Sequence, residues 1–485
     1  MLALLLLLAM LVPIGLSAAA EEPIKLEYLT NVNVDTEGYD VNDNPYINYI
    51  REKNNLDITL ISEATNYTQK LNTVMASGDY PDYFLVSDRN MLLMWAEDGL
   101  LQPLDAYIAE STYLTTMIKE EAWNLAKMDG QTYAVPMQRF DSTPYMSFVR
   151  RDFVEALGVN IDDVKTVEEW YQLLYDFTYG DPDGNGLNDT YGLTSRTTSS
   201  VHGDNMLNMF QDSFDAANFQ VVDGEVHPNY ILPGYKEWLK FMNRLYADGI
   251  MDPEYVVNTS QQVFEKTVSG KYGLFSAFWS IQEFLGNGGK REDLIAVAPP
   301  LKADGSVAKY RYGSPSRHYI AVSVTCKNPQ AVVALMDWAC SDEGALFVHG
   351  GLEGMDYDMV DGKPIVREDR RGKSWAWRFI TLGVQKPLVD DQLYPILEQS
   401  WGELGMEHYA MSNTYGMYDY INMGAPYFAE LQDYDLQSMV LAFRDSAIMG
   451  KVDIDAEWDN YVNAWLNSGG KLWIELYTGY YNSTN

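Results

Sequence analysis

Strand-length apolar runs and helix-length amphipathic segments alternate along this chain, and that alternation limits what it can fold into. Ile24 to Leu29 reads as a first strand. Asn66 to Ala76 reads as a helix, with Leu71, Val74 and Met75 on one face and Ser77-Gly78 able to end it. Pro81 to Val86 suits a buried strand, and Phe148 and Val149 open another strand-to-helix passage. Thr166-Val167-Glu168-Glu169 has the form of a capping box, and Trp170, Leu173, Leu174 and Phe177 follow at helical spacing. Tyr235, Trp238, Leu239, Met242, Leu245 and Tyr246 make one stripe before Gly249. Trp458, Tyr461, Val462, Trp465 and Leu466 make another before Gly469 and Gly470. Strands interleaved with helices predict an α/β protein with largely parallel sheets. No internal repeat, low-complexity tract or Pro/Ser-rich linker breaks the pattern, so domains are expected to be joined by strand or loop crossovers.

Ahead of the first strand, Met1 to Val12 is an unbroken apolar run. Pro13 and Gly15 interrupt it, and Ser17-Ala18-Ala19-Ala20 supplies small residues suited to signal peptidase. The apolar core is well short of the ~18–20 residues that span a bilayer. Residues 1–20 are therefore expected to be a signal peptide, and the mature chain to work in a periplasm or outside the cell. The only cysteines are Cys326 and Cys340, so no lipid-anchor cysteine stands at the cleavage point. About 465 residues remain, enough for two or three domains. The cysteines are not expected to pair: a helix-like segment of ~15 Å separates them, against a Cα limit of ~7 Å for a disulfide. The formal charge of -35 repels phosphate backbones and anionic lipid, which argues against nucleic acid as a partner.

Motifs that would carry catalysis are missing. His202, His227, His318, His349 and His408 are not spaced as a two-histidine metal helix, and there is no G-x-S-x-G elbow or phosphate-cradling glycine loop. A glycosidase needs only two carboxylates, which 69 acidic residues can neither supply nor deny by pattern. The sharpest local motif is Asp181-Pro182-Asp183-Gly184-Asn185-Gly186-Leu187-Asn188-Asp189. It matches three-quarters of a calcium loop: side-chain oxygens of Asp181, Asp183, Asn185 and Asp189, and the carbonyl of Leu187. Gly192 stands where a bidentate glutamate would complete the site, leaving Thr190, water or a distant carboxylate to do so. A structural Ca2+ and a metal-free Asx turn both suit this run.

Aromatic and arginine residues supply candidate ligand contacts. Phe278-Trp279-Ser280 ends the buried-strand pattern Gly273-Leu274-Phe275-Ser276-Ala277, strand ends are where open α/β sheets bind ligands, and Trp279 is the contact candidate there. Trp375, Trp377, Trp401, Trp95 and Trp473 obey no helical stripe. Trp375 and Trp377 are interleaved with Arg367, Arg370, Arg371, Lys373 and Arg378, which suits either a sugar-binding face or a solvated loop. Arg139 and Tyr145 fall where the chain passes between lobes. Flat aromatic faces beside a few polar groups suit a carbohydrate.

Several stretches together resemble the extracellular solute-binding proteins of carbohydrate ABC importers, in particular the large lipoprotein-like branch of the family-one group. Lys70-Leu71-Asn72-Thr73-Val74-Met75-Ala76-Ser77-Gly78-Asp79-Tyr80-Pro81-Asp82 is similar to that family's helix, turn and strand. Tyr133-Ala134-Val135-Pro136, then Phe148-Val149-Arg150-Arg151-Asp152-Phe153, resemble its entry into the second lobe. The capping-box helix with its Asp/Gly loop and the tail from Asp453 to Trp458 also fit. The resemblance implies a class II periplasmic-binding-protein fold: two α/β lobes, a crossing hinge and a ligand cleft. It places residues 21–140 plus about 300–345 in lobe 1, and 141–299 plus about 346–485 in lobe 2. It implies a binding protein and not an enzyme, acting as a monomer that hands a mono- or oligosaccharide to the transmembrane subunits of an ABC permease. Similar alginate-binding proteins carry calcium at the loop position, with an acidic residue where this chain has Thr190. A secreted glycan-active enzyme, or a binding protein serving a signalling receptor, are the alternative readings.

Overall fold

The structure is a computed structural model that describes residues 22–31, 38–63, 65–138, 145–197, 209–312, 314–370, 394–419, 421, 425–426 and 428–484. The signal segment 1–20, Arg139, Trp375 and Trp377 lie outside the described residues.

Two sheets organise the chain. The first has the strand order Leu56–Ser62, Ile24–Thr30, Tyr83–Val86, Ser316–Val322, Ala134–Gln138. Ile24–Thr30 pairs in parallel with both its neighbours, whereas Ser316–Val322 runs antiparallel to both of its own. The second sheet has the order Leu294–Val297, Tyr145–Arg150, Tyr272–Phe278, Tyr191–Leu193. Tyr145–Arg150 is antiparallel to the strands on each side of it. The sheets are thus mixed and not largely parallel. Both reversed strands, Ser316–Val322 and Tyr145–Arg150, arrive from the other lobe. They are free of the helical crossover that forces consecutive strands of one sheet to run parallel.

Each sheet has its own core. One gathers buried side chains between Leu26 and Met137, then from Tyr319 to Val348. The other runs from Met146 to Tyr310 and resumes with Ala345, Val366 and residues up to Ile474. Helix Asp342–Gly350 serves both, giving Ala345 to the second core and Phe347 and Val348 to the first.

Local signals explain the helices that hold the second sheet in place. Thr166 and Glu169 exchange their capping-box hydrogen bonds, so helix Val167–Tyr179 starts where the sequence says. Helix Pro233–Ala247 buries Tyr235, Trp238, Leu239, Phe241, Met242 and Leu245. Gly273 is required by contact: a Cβ there would meet the Phe177 ring at 2.2 Å. The C-terminal stripe lies on helix Ile454–Trp465, and Gly469, at φ 118, breaks the helical path where the sequence places its end. Beyond this kink a further helix, Lys471–Thr484, begins. Trp473 is therefore a core residue, stacked on Tyr477 with ring centroids 3.7 Å apart. Trp95 is buried in the first core. Both cysteines are buried, and they are not joined in a disulfide.

Candidate functional site

The candidate cleft lies at the edges of the two sheets that adjoin the crossovers. In the first lobe, Ile24–Thr30, Tyr83–Val86 and Ala134–Gln138 all end at this edge. In the second, Tyr145 opens the first strand after the passage, and antiparallel pairing sets Phe278 directly opposite it. Their rings lie 4.4 Å apart between centroids and are both half-buried.

Next along the chain, Trp279 turns inward and is only 3 % exposed. Trp401 meets its ring edge-on at 4.5 Å, and Tyr409 packs against it at 5.1 Å. Trp401 sits at a break in helix Tyr394–Tyr415, where Gly402 takes φ 70, a conformation other residues rarely adopt. The fold brings together three of the sequence candidates, Tyr145, Trp279 and Trp401. It gives them different surroundings. Trp279 is a pillar whose ring is covered by other aromatics, and the half-buried pair Tyr145 and Phe278 forms the face beside the passage. Sequence reading put Phe278 at the strand end but offered its neighbour Trp279 for contact, since only the pairing with Tyr145 shows which of the two rings stays half-buried.

Two further groups fix this edge. The Arg291 guanidinium donates to the Ser280 carbonyl at 2.9 Å, and the His408 ring nitrogen Nδ1 lies 3.2 Å from the Trp279 carbonyl. Burial, reinforced by the nearby Arg291 charge, pushes the His408 pKa down to about 4. The imidazole is therefore neutral near pH 7, and Nδ1–H donates to that carbonyl. Among the second lobe's strands, Ser147 and Ser276 share a buried hydroxyl hydrogen bond of 2.9 Å.

The hinge has anchors that the sequence did not announce. Strand Tyr310–Tyr312, the last element before the chain returns to the first sheet, pairs in parallel with Gly416–Tyr418. Arg311 forms a buried ion pair of 3.1 Å with Asp419, which also accepts from the Phe219 amide at 3.1 Å. The Tyr310 hydroxyl donates to the Val297 carbonyl at 2.8 Å. From the first lobe, Arg89 donates to the Leu125 carbonyl at 2.9 Å and to the carbonyl of Ala425. These partners lie 108 and 336 residues apart in sequence, beyond the reach of any local pattern.

In the Asp181–Asp189 run, Asp181 takes φ 50 and accepts from the amides of Asn185 and Gly186 at 3.0 and 3.1 Å. The Asn185 amide group lies between Asp183, at 2.7 Å, and Asp189, at 3.1 Å. Asp183 and Asp189 thus both accept from the Asn185 side-chain amide, and Asn185 Oδ1 accepts from the Leu187 amide at 2.7 Å, so the loop is closed by its own hydrogen bonds. Lys271 holds Asp189 in an ion pair of 2.7 Å and lowers its pKa. The buried Thr190 hydroxyl donates to the Phe177 carbonyl at 2.8 Å. Position 192 has no room for any side chain, since a Cβ would meet Ile250 and the Leu174 carbonyl at 2.5 Å. Among the described residues, no three His, Cys, Asp or Glu side chains form a metal cluster by themselves. Also among them, no helix is long and apolar enough to cross a membrane. Of the arginine-rich segment, Arg370 is committed to a buried ion pair with Asp356 at 2.9 Å.

A two-lobed α/β chain with its aromatic face at the sheet edge beside the crossovers is the architecture of a solute-binding protein. Residues 41–346 match the family model of the bacterial extracellular solute-binding protein, and the chain belongs to that family. It is 23 % identical to Lipoprotein LipO of Bacillus subtilis over 84 % of this chain and 82 % of that one. It is 22 % identical to the polygalacturonan/rhamnogalacturonan-binding protein YtcQ of the same organism, over 66 % and 64 %. Among solved structures, the Streptococcus pneumoniae ABC-transporter substrate-binding protein FusA in complex with kestose superposes with a TM-score of 0.73. That match covers 95 % of this chain and 99 % of FusA at 17 % identity.

Proposed function

We propose that this protein captures a carbohydrate, a mono- or oligosaccharide, between its two lobes and delivers it to the membrane subunits of an ABC importer. It works outside the cytoplasm, as a monomer. The observation that carries this reading is the Tyr145–Phe278 pair at the sheet edge, backed by the Trp279, Trp401 and Tyr409 cluster. Aromatic faces with hydroxyl and amide neighbours suit the flat CH face of a sugar ring. The names of YtcQ and FusA support the same ligand class. Contacts from a sugar to both lobes would draw them together by favouring the closed population.

The Asp181–Asp189 loop, in this reading, holds a structural Ca2+ through Asp181, Asp183, Asn185, the Leu187 carbonyl and Asp189. The ion would cross-link the turn between helix Val167–Tyr179 and strand Tyr191–Leu193 and takes no part in capture. The ligand assignment is tested by thermal shift against neutral sugars, uronides, oligosaccharides and peptides. At least one saccharide should raise the melting temperature. A panel in which only peptides stabilise the protein contradicts the assignment.

A further inference from the structure

A small cavity of about 10 Å3 lies just inward of the Tyr145–Phe278 face. Ser147, Ser276 and Thr194 line it, together with Met209, Phe210 and Met242. Strand register sets its position. Phe278 pairs with Tyr145, and Ser276 pairs with Ser147. Each serine therefore stands two residues inward from a ring of that face, on the same side of the sheet and ~6.6 Å away along the strand. A group the size of one water needs ~10–15 Å3. The cavity admits one hydroxyl and no sugar ring.

The donors and acceptors of this lining are unevenly spent. The two serine hydroxyls are 2.9 Å apart, so one donates to the other. The second O–H of the pair is left over, and among the described residues neither hydroxyl has a further partner. Ser147 is 0 % and Ser276 3 % exposed, and a buried donor favours any group that accepts from it. Thr194 has the opposite bias. Its hydroxyl donates to the buried Asp252 carboxylate at 2.7 Å, which Lys266 and Asn258 hold at 2.8 and 2.9 Å. Only the lone pairs of Thr194 Oγ1 remain for another partner. A hydroxyl, donor and acceptor at once, satisfies both sides. A carboxylate can accept from the serine pair but finds only lone pairs at Thr194. No cationic side chain lines the cavity among the described residues.

We propose that this cavity receives the exocyclic primary alcohol of a neutral sugar ring resting on Tyr145 and Phe278, and so selects neutral saccharides over uronides. The inference rests on the saccharide reading of the cleft and narrows it. The apolar walls suit the CH2 group, while the serine pair and Thr194 suit the hydroxyl. The test is calorimetric titration of the full chain with maltotriose, mannotriose and kestose as neutral probes and trigalacturonate as the uronide. At least one neutral probe should bind, about tenfold or more tighter than trigalacturonate. Ser276→Ala should weaken that probe about tenfold. Among analogues of the probe deoxygenated at one primary alcohol each, one should lose the same factor in wild type and nothing further in the variant. General loosening of the fold does not give that pattern. Ser147→Ala carries the test if Ser276→Ala does not fold. A neutral probe bound equally by wild type and the folded serine variants overturns this inference and leaves the saccharide reading standing, and so does trigalacturonate bound as tightly as the neutral probes. No saccharide binding at all overturns both.

Discussion

Tyr145 and Trp279 are separated by one ring, Phe278, yet the structure predicts opposite phenotypes for them. Trp279 is buried under Trp401 and Tyr409. Trp279→Ala should cost about 3–5 kcal/mol of stability in a denaturant melt, as removal of a buried aromatic does. Tyr145→Ala should leave the melt nearly unchanged and weaken saccharide binding by about tenfold or more. His408 gives a pH signature. Its pKa in the fold is about 4, below the ordinary value near 6.5, so the unfolded chain binds the extra proton between those values. The stability this contributes is complete above about pH 6.5 and is lost as pH falls toward 4, to the extent of about 3 kcal/mol. Denaturant melts at pH 7 and pH 4.5 should show this loss, and His408→Asn should shrink it. At this scale the sequence singled out Trp279 by residue type at a strand end, Trp401 by its place off any helical stripe and Tyr145 by its place in the passage between lobes. It could not say that one faces inward, because that depends on residues 401 and 409, more than a hundred positions away.

At the scale of elements, local chemistry was the most legible. The Thr166 capping box and the stripes of helices Pro233–Ala247 and Ile454–Trp465 needed no tertiary information. The tail was legible as far as its break: Gly469, at φ 118, ends the helical path, and the sequence did not announce the new helix that begins at Lys471 once Gly470 has packed against the Trp465 ring. Strand direction was also illegible, since Ser316–Val322 and Tyr145–Arg150 owe theirs to crossovers between lobes. The Asp181–Asp189 loop was legible as a turn, but the commitment of Thr190 to Phe177 and the Lys271 pair were not. Removing calcium with a chelator should lower the melting temperature, and Asp183→Ala should abolish that dependence. An unchanged wild-type melt would mean that the loop closes on its own hydrogen bonds and Lys271 without metal.

Across the whole molecule, the two cores and the strands that cross between them make relative motion of the lobes the natural way to enclose a solute. Arg311–Asp419 ties one crossing strand to the second lobe, and Arg89 links helix Arg89–Glu97 to Ala425. Burial of a sugar between the lobes should be recorded in the heat of binding. The most direct measurement is isothermal titration of the best-stabilising saccharide into wild type and Tyr145→Ala at several temperatures. The account predicts one site per chain, a negative heat-capacity change as the cleft closes on the ligand, and clear weakening in the variant. Saturable binding of a peptide, with no heat from any saccharide, would contradict it.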